Sequence, residues 1–426
     1  MSENDYFEIR GGVPLRGSVT ISGSKNAALP ILCACVLAED KCRIENLPNI
    51  EDINRLLEIL SMLGAGIERI SDSIIEIDPS TINGRIVTPE MASKLRASYY
   101  MLGALLARFG EVEITQPGGC RIGQRPMDFH IKGMRALGAE VSERGDVISA
   151  KAERLVGADI VFDMASVGAT INVMLAACRA EGRTTITNAA REPHVVDVAN
   201  FLNTMGASIR GAGTDIIRIN GRQNLHGCTY AVIPDQIEAG TYMIAAAATK
   251  GDVIIRNVIP THLESVTAKL LECGTDVQTR DDGNEFVIQV RASERPRAVN
   301  IKTMPYPGFP TDLQQPMSSM LTLAEGRSMV TENLFENRFN HCDELVRMGA
   351  KIIVNGRTAT IEGVERLYGT SVKVTDLRAG AAMIVAALVA EGTTKIRNIY
   401  SIDRGYERLE EKLTALGAGI RRIREE

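Results

Sequence analysis

One stretch concentrates residue types that could do chemistry: Gln116-Pro117-Gly118-Gly119-Cys120-Arg121-Ile122-Gly123-Gln124-Arg125-Pro126. Its glycines and prolines make it a loop between a strand-like run (112–115) and a helix-like run (127–137). Two arginines share the loop with one cysteine. Nearby positive charge favours the thiolate, so Cys120 has an electrostatic reason to be more acidic than an isolated cysteine.

Further polar groups stand where apolar helices begin. Gly23-Ser24-Lys25-Asn26 opens the first of them. A helix N-terminus offers backbone donors to an anion, and Lys25 adds a charge. The spacing is not that of a Walker loop, and a capped helix with a solvated lysine would use the same residues. Arg96 and Arg378 hold the same corner in Lys94-Leu95-Arg96-Ala97-Ser98 and Thr375-Asp376-Leu377-Arg378-Ala379; elsewhere it holds Ser166-Val167-Gly168, Asp235 or Pro310-Thr311-Asp312. Asp312 reads either as an N-cap or as a carboxylate positioned to take a proton from a hydroxyl. Arg338 and Arg404 precede later helices, where the first half has Asp52, Arg125 and Glu192. Arginine forks suit phosphate and carboxylate. His130, His194, His226, His262 and His341 show no metal-ligand spacing, and no metal is assigned. His130 reads as a helix-surface residue beside the Cys120 loop.

The elements that must carry these residues form a repeat. Leu63-Gly64-Ala65, Leu137-Gly138-Ala139, Met205-Gly206-Ala207, Cys273-Gly274-Thr275, Met348-Gly349-Ala350 and Leu416-Gly417-Ala418 recur 68 to 75 residues apart. Each ends a helical run and precedes an alternating one, which places glycine at a left-handed helix cap. Upstream of each, an alanine-rich apolar helix is followed by a short strand. The repeat is therefore strand, buried helix, strand, amphipathic helix, strand, strand, six times over. A chain of 426 residues predicts more than one core. Crossings are expected between the N-terminal strand and Gly23, and near 230–235. That divides the chain into 23–234, with the Cys120 loop, and 1–22 plus 235–426, with Asp312 and Arg404.

Composition narrows the function. A net charge of −5 and the absence of Trp argue against nucleic-acid binding by bulk charge or stacking. Clustered arginines in an acidic chain suggest a small, strongly anionic substrate. Residues 1–10 show no signal-peptide pattern, and the longest apolar run, 27–38, is too short to span a bilayer. The eight cysteines form no CxxC pair. A reduced, cytoplasmic protein without cofactor or membrane attachment is expected.

Lys25-Asn26, Arg96, Pro117-Gly118-Gly119-Cys120, Arg125-Pro126-Met127-Asp128, Pro310-Thr311-Asp312, Glu336-Asn337-Arg338-Phe339, Asp376-Leu377-Arg378 and Asp403-Arg404-Gly405-Tyr406 together resemble the UDP-N-acetylglucosamine enolpyruvyl transferase family, from about Ile9 onward. The sister family of the shikimate pathway shares the fold but lacks the Pro-Gly-Gly-Cys loop. The resemblance implies an α/β fold, the two-domain inside-out α/β barrel, with three βαβαββ units per domain and the active site in the cleft between them. It implies transfer of enolpyruvate from phosphoenolpyruvate to the sugar 3-hydroxyl through a tetrahedral ketal, in peptidoglycan precursor synthesis. Cys120 would be the general acid and the target of fosfomycin, and Asp312 the base. Lys25, Asn26, Arg125, Arg338, Arg378 and Arg404 would hold phosphoenolpyruvate, with Lys25 and Arg404 also catalytic. Asn26, Arg96, Arg125, Pro126, Met127, Asp128, Phe129, Ser166, Val167, Gly168, Asp312 and Leu334 would line the UDP-sugar site. Asp52, Glu192 and Asp376 would support them. A shikimate-type transferase and a non-catalytic repeat scaffold are the competing readings.

Overall fold

A computed structural model describes residues 5–116, 127–283 and 285–425, Lys94 by its backbone alone. Residues 5–22 with 234–425 form one compact unit; 23–116 with 127–233 form the other. The chain passes between them at Ser22–Gly23 and at Ile233–Pro234.

Each unit holds three four-stranded sheets of one pattern. In the third repeat, Asp159–Val161 runs parallel to Arg183–Thr187. The latter pairs antiparallel with Ile216–Asn220, which pairs with Ser208–Arg210. The helix Val167–Ala177 makes the parallel crossover, and Pro193–Thr204 makes the next connection. This is the expected βαβαββ unit, and the parallel pair requires a crossover of this length.

Two repeats borrow their first strand across the crossing points. Thr229–Ala231 lies parallel to Cys42–Glu45, and Arg16–Thr20 lies parallel to Asp252–Arg256. The helix after Arg16–Thr20, Lys25–Ala34, then belongs to the other unit. The last repeat is completed by Tyr6–Arg10, antiparallel to both Thr393–Arg397 and Gly419–Ile423.

The alanine-rich helices are buried on all sides, as their composition demands. Every residue from Ile237 to Ala248 and from Leu377 to Leu388 is buried. In one unit Gln236–Ala248, Thr311–Leu321 and Leu377–Val389 pack on one another. Gly240 permits that approach: a Cβ there would lie 2.3 Å from Leu313 Cδ1. The other unit packs Met101–Phe109 against Lys25–Ala34 and Val167–Ala177.

The six signature glycines adopt φ between 90° and 104°. In each, the following residue's N–H reaches back into the last turn, as from Ala65 to the Leu60 carbonyl and from Ala418 to the Leu413 carbonyl, closing a Schellman cap. A second recurrence escaped the sequence reading. Asn46, Asn188, Asn257 and Asn398 follow the second strand of their repeats with φ of 52° to 61°. Their side-chain amides donate to the carbonyls of Val232, Phe162, Ile21 and Val374, each just past a first strand. Asn333 does the same toward Thr303. These amides fix the segment from which the chain turns away from its sheet. Asn188→Ala loses that bond and places alanine in the left-handed region. It should lower stability by about 2–3 kcal/mol, read from the midpoint shift in urea unfolding.

Candidate active site

Asp312 is the second residue of the helix Thr311–Leu321, whose N-cap is Pro310. The N-cap reading of Asp312 is therefore wrong. Capping falls instead to Asp376 and Asp235, whose carboxylates accept from the first N–H groups of their helices. Asp312 faces two guanidinium groups. Arg338 Nη2 donates to Oδ1 at 2.7 Å and Arg378 Nη2 to Oδ2 at 2.9 Å. Both arginines are almost fully buried, at 3% and 5% exposure, while the Asp312 side chain is 24% exposed. Removing two cations from water is costly unless an anion compensates. Burial alone would lower the Arg378 guanidinium; the charges of Asp312, Tyr406 and Asp235 outweigh it and raise it above its ordinary value. Aromatic faces complete the setting. Arg338 lies 5.2 Å from the Phe335 ring centroid and Arg378 lies 5.7 Å from that of Tyr406. The Tyr406 hydroxyl shares a 2.8 Å bond with Thr241 Oγ1.

Glu332, which the sequence reading missed, organises this corner. It is fully buried. Oε1 accepts from Thr303 Oγ1 at 2.9 Å and from the N–H groups of Leu334 and Phe335. Oε2 accepts from Thr311 Oγ1 at 2.8 Å. One carboxylate thus ties the helix that carries Asp312 to the loop that carries Leu334 and leads to Arg338. It occupies the corner where four other repeats carry asparagine, so aligning the repeats would have exposed it. Arg404 is half-buried and closes the turn Tyr400–Asp403. A second buried carboxylate, Glu238, accepts from the Ser22 N–H at 2.8 Å and from Lys412 Nζ at 2.6 Å. Lys412 also donates to Ser22 Oγ, which bonds Glu407. That network anchors the segment leaving this unit.

In the other unit, Lys25 Nζ pairs with Asp52 at 3.1 Å, and Asp52 is 2% exposed. The lysine at the helix N-terminus is thus held rather than loose, with Asn26 half-buried beside it. Arg96 begins a helical turn, Arg96–Tyr100, rather than the long buried helix itself. Ser166 is an N-cap, its Oγ accepting from the Ala169 N–H, and Val167 and Gly168 start the helix. Met127 is the N-cap of the helix Asp128–Ala136. The Phe129 ring centroid is 5.7 Å from that of Phe162. Glu192 is the N-cap of Pro193–Thr204 without a side-chain cap bond. His130 is not on the helix surface: it is 6% exposed. Burial, then the charge of Arg96, pushes its imidazole down to about 3.

Cys120, Arg125 and Pro126 lie outside the described residues. The other seven cysteines are reduced, six of them buried. Burial pushes the Cys33, Cys178, Cys228, Cys273 and Cys342 thiols up. Cys42 is lowered by its bond to Cys35, whose own thiol is raised, first by burial. Among the described residues no His/Cys/Asp/Glu cluster is suited to a metal, and no helix is long and apolar enough to cross a membrane.

The arrangement in the first unit can hold an anion on two buried arginines with a carboxylate between them; the second offers a held lysine, an arginine and a capped helix N-terminus. Glu332→Gln places an amide N–H among four donors. It should lower turnover at least tenfold with a smaller change in melting temperature, measured by steady-state kinetics and calorimetry.

A family model for EPSP synthase (3-phosphoshikimate 1-carboxyvinyltransferase) matches residues 9–413. A UDP-N-acetylglucosamine 1-carboxyvinyltransferase 3 of Caldanaerobacter subterraneus is 58% identical over 99% of this chain and 100% of its own. The Clostridium botulinum UDP-N-acetylglucosamine 1-carboxyvinyltransferase is 57% identical over 98% of this chain and 99% of its own. Among solved structures, the enolpyruvyl transferase NikO of Streptomyces tendae superposes with a TM-score of 0.88 at 27% identity, over 99% of this chain and 100% of its own. An EPSP synthase of Acinetobacter baumannii gives 0.75 at 21% identity, with the same coverage, a likeness of fold alone.

Proposed function

We propose a mechanism for a chain that belongs to the EPSP synthase family and, within it, to the UDP-N-acetylglucosamine 1-carboxyvinyltransferases. The enzyme transfers the enolpyruvyl group of phosphoenolpyruvate to the 3-hydroxyl of UDP-N-acetylglucosamine and releases phosphate. This serves peptidoglycan precursor synthesis, in the cytoplasm.

The observation that carries the mechanism is Asp312 shared between Arg338 and Arg378. With both oxygens engaged, this carboxylate is a poor acceptor for a further proton. Phosphoenolpyruvate brings a phosphate and a carboxylate, anions that compete for the same guanidinium forks. As Arg338, Arg378 and Arg404 turn to phosphoenolpyruvate, Asp312 is freed to accept the proton of the sugar 3-hydroxyl. That oxygen bonds to C2 of phosphoenolpyruvate while Cys120 protonates C3, which gives a tetrahedral ketal. Loss of a proton from C3 with departure of phosphate restores the enol ether. Lys25, Asn26 and Arg125 also hold the anion, with Asp52 keeping Lys25 in register and Asp376 capping the helix of Arg378. Arg96, Pro126, Met127, Asp128, Phe129, the Ser166–Gly168 corner and Leu334 take the nucleotide sugar. Glu192 supports them.

Phosphate release from phosphoenolpyruvate should require UDP-N-acetylglucosamine and should not occur with shikimate 3-phosphate. The opposite result sinks this reading. Asp312→Asn should lose at least a hundredfold in kcat and also lower the melting temperature, because Arg338 and Arg378 lose their compensating anion. Cys120→Ser should abolish turnover, and fosfomycin should modify Cys120 alone among the eight cysteines, read by peptide mass mapping.

A further inference from the structure

The helix Val167–Ala177 carries an asparagine, Asn172, with no exposure to solvent. Its amide orientation is not a free choice. Oδ1 accepts the backbone N–H of Gly103 at 2.7 Å, which an amide nitrogen could not do. Nδ2 therefore points the other way, donating to the Tyr99 carbonyl at 2.8 Å and reaching His130 Nδ1 at 2.9 Å. An amide nitrogen only donates, so Nδ1 must accept and carry no proton. The remaining proton of a neutral imidazole then sits on Nε2.

That nitrogen is aimed. A Cβ built on Gly168 would lie 3.1 Å from His130 Nε2 and 3.0 Å from the Tyr99 hydroxyl. Gly168 stands in the first turn of Val167–Ala177, where unpaired backbone N–H groups gather. The hydrogen bond that holds the His130 ring runs through Nδ1, on a residue more than nine-tenths buried, which leaves Nε2 as the nitrogen that can meet a ligand. The Tyr99 ring packs edge-on against the imidazole, centroids 5.0 Å apart, and fixes its plane.

We propose that Asn172 is a positioning residue that locks His130 in the neutral, Nε2-protonated tautomer, so that Nε2–H is presented beside Gly168 as a donor to an anionic oxygen of the nucleotide sugar. The donor half rests on the function proposed above; the lock does not. A neutral imidazole suits this place. Arg96 already supplies charge nearby, and a second cation on His130 would repel it. A fixed donor, already ordered before substrate arrives, costs little entropy on binding.

Nitrogen-15 spectra of the imidazoles, with His130→Gln assigning the signals, read the tautomer in the free enzyme. Nδ1 should be unprotonated and Nε2 protonated from about pH 5 to 8. A protonated Nδ1, or an imidazolium in that range, overturns the lock. UDP-N-acetylglucosamine at saturation should shift the Nε2–H signal. An unchanged signal in enzyme that turns this substrate over overturns the donor role. If the sugar nucleotide is neither bound nor turned over, the functional reading and the donor role fall together, and the free-enzyme tautomer alone decides the lock. Asn172→Asp accepts from Nδ1–H and reverses the tautomer. It should raise KM for UDP-N-acetylglucosamine about tenfold and leave kcat within about twofold. His130→Gln, which keeps a donor, should retain more affinity than His130→Leu. Equal affinity in these two counts against donation.

Discussion

A helix that is apolar on every side cannot lie at a surface, and among the described residues Val167–Ala177, Gln236–Ala248 and Leu377–Val389 are such helices. Each must be surrounded, and sheets with one apolar face can surround it. The sheets therefore go outside and the helices inside, the reverse of a common barrel. This constraint also decides where chemistry can happen. A helix buried along its length meets solvent chiefly at its ends, and its N-terminal end carries unpaired N–H groups and positive potential. Asp235, Asp312, Asp376, Ser166 and Lys25 all sit at such ends. Within each unit, their placement at helix ends follows from burying the helices.

Polar groups at these corners come in two kinds. Some close local accounts: Asp235, Asp376 and Ser166 bond their own helices, and Glu332 collects four donors without any cation. Others hold charges against each other. Asp312 with its two arginines, and Lys25 with Asp52, keep buried charge compensated in the free protein. An anionic ligand can exchange with a carboxylate in such a pair at modest cost, because the cation is already desolvated and oriented. In the proposed function, compensation before binding and recognition during it use the same atoms.

Much of this was legible in the sequence because it depends on backbone chemistry. Only glycine enters the left-handed cap freely, so Gly64, Gly138, Gly206, Gly274, Gly349 and Gly417 announce six helix ends. The alanine-rich runs announce most of the buried helices, though Thr311–Leu321 contains no alanine. What stayed hidden depends on pairing at a distance. The loan of Arg16–Thr20 and Thr229–Ala231 between repeats leaves no local mark, because strand pairing is written in register rather than composition. Asp312 looked like a cap because aspartate before a helix often is one; its arginine partners lie 26 and 66 residues away. His130 looked exposed because its own helix is polar. Neighbouring elements bury it. The corner asparagines were visible but unread, since asparagine after a strand usually signals no more than a turn.

The borrowed strands also order events in time. As the chain leaves the ribosome, the sheet containing Cys42–Glu45 lacks its edge until Thr229–Ala231 has been made. The strand Tyr6–Arg10 waits longer, for Thr393–Arg397 and Gly419–Ile423. The unit that folds as a whole first is thus the one encoded in the middle, inserted into the other. The outer unit keeps Tyr6–Arg10 unpaired through nearly the whole of synthesis, and Arg16–Thr20 until Asp252–Arg256 has been made. Exposed strand edges invite association. The charged residues of Tyr6–Arg10, Glu8 and Arg10, and the glycine at Gly17 in Arg16–Thr20, suit segments that must stay soluble while they wait.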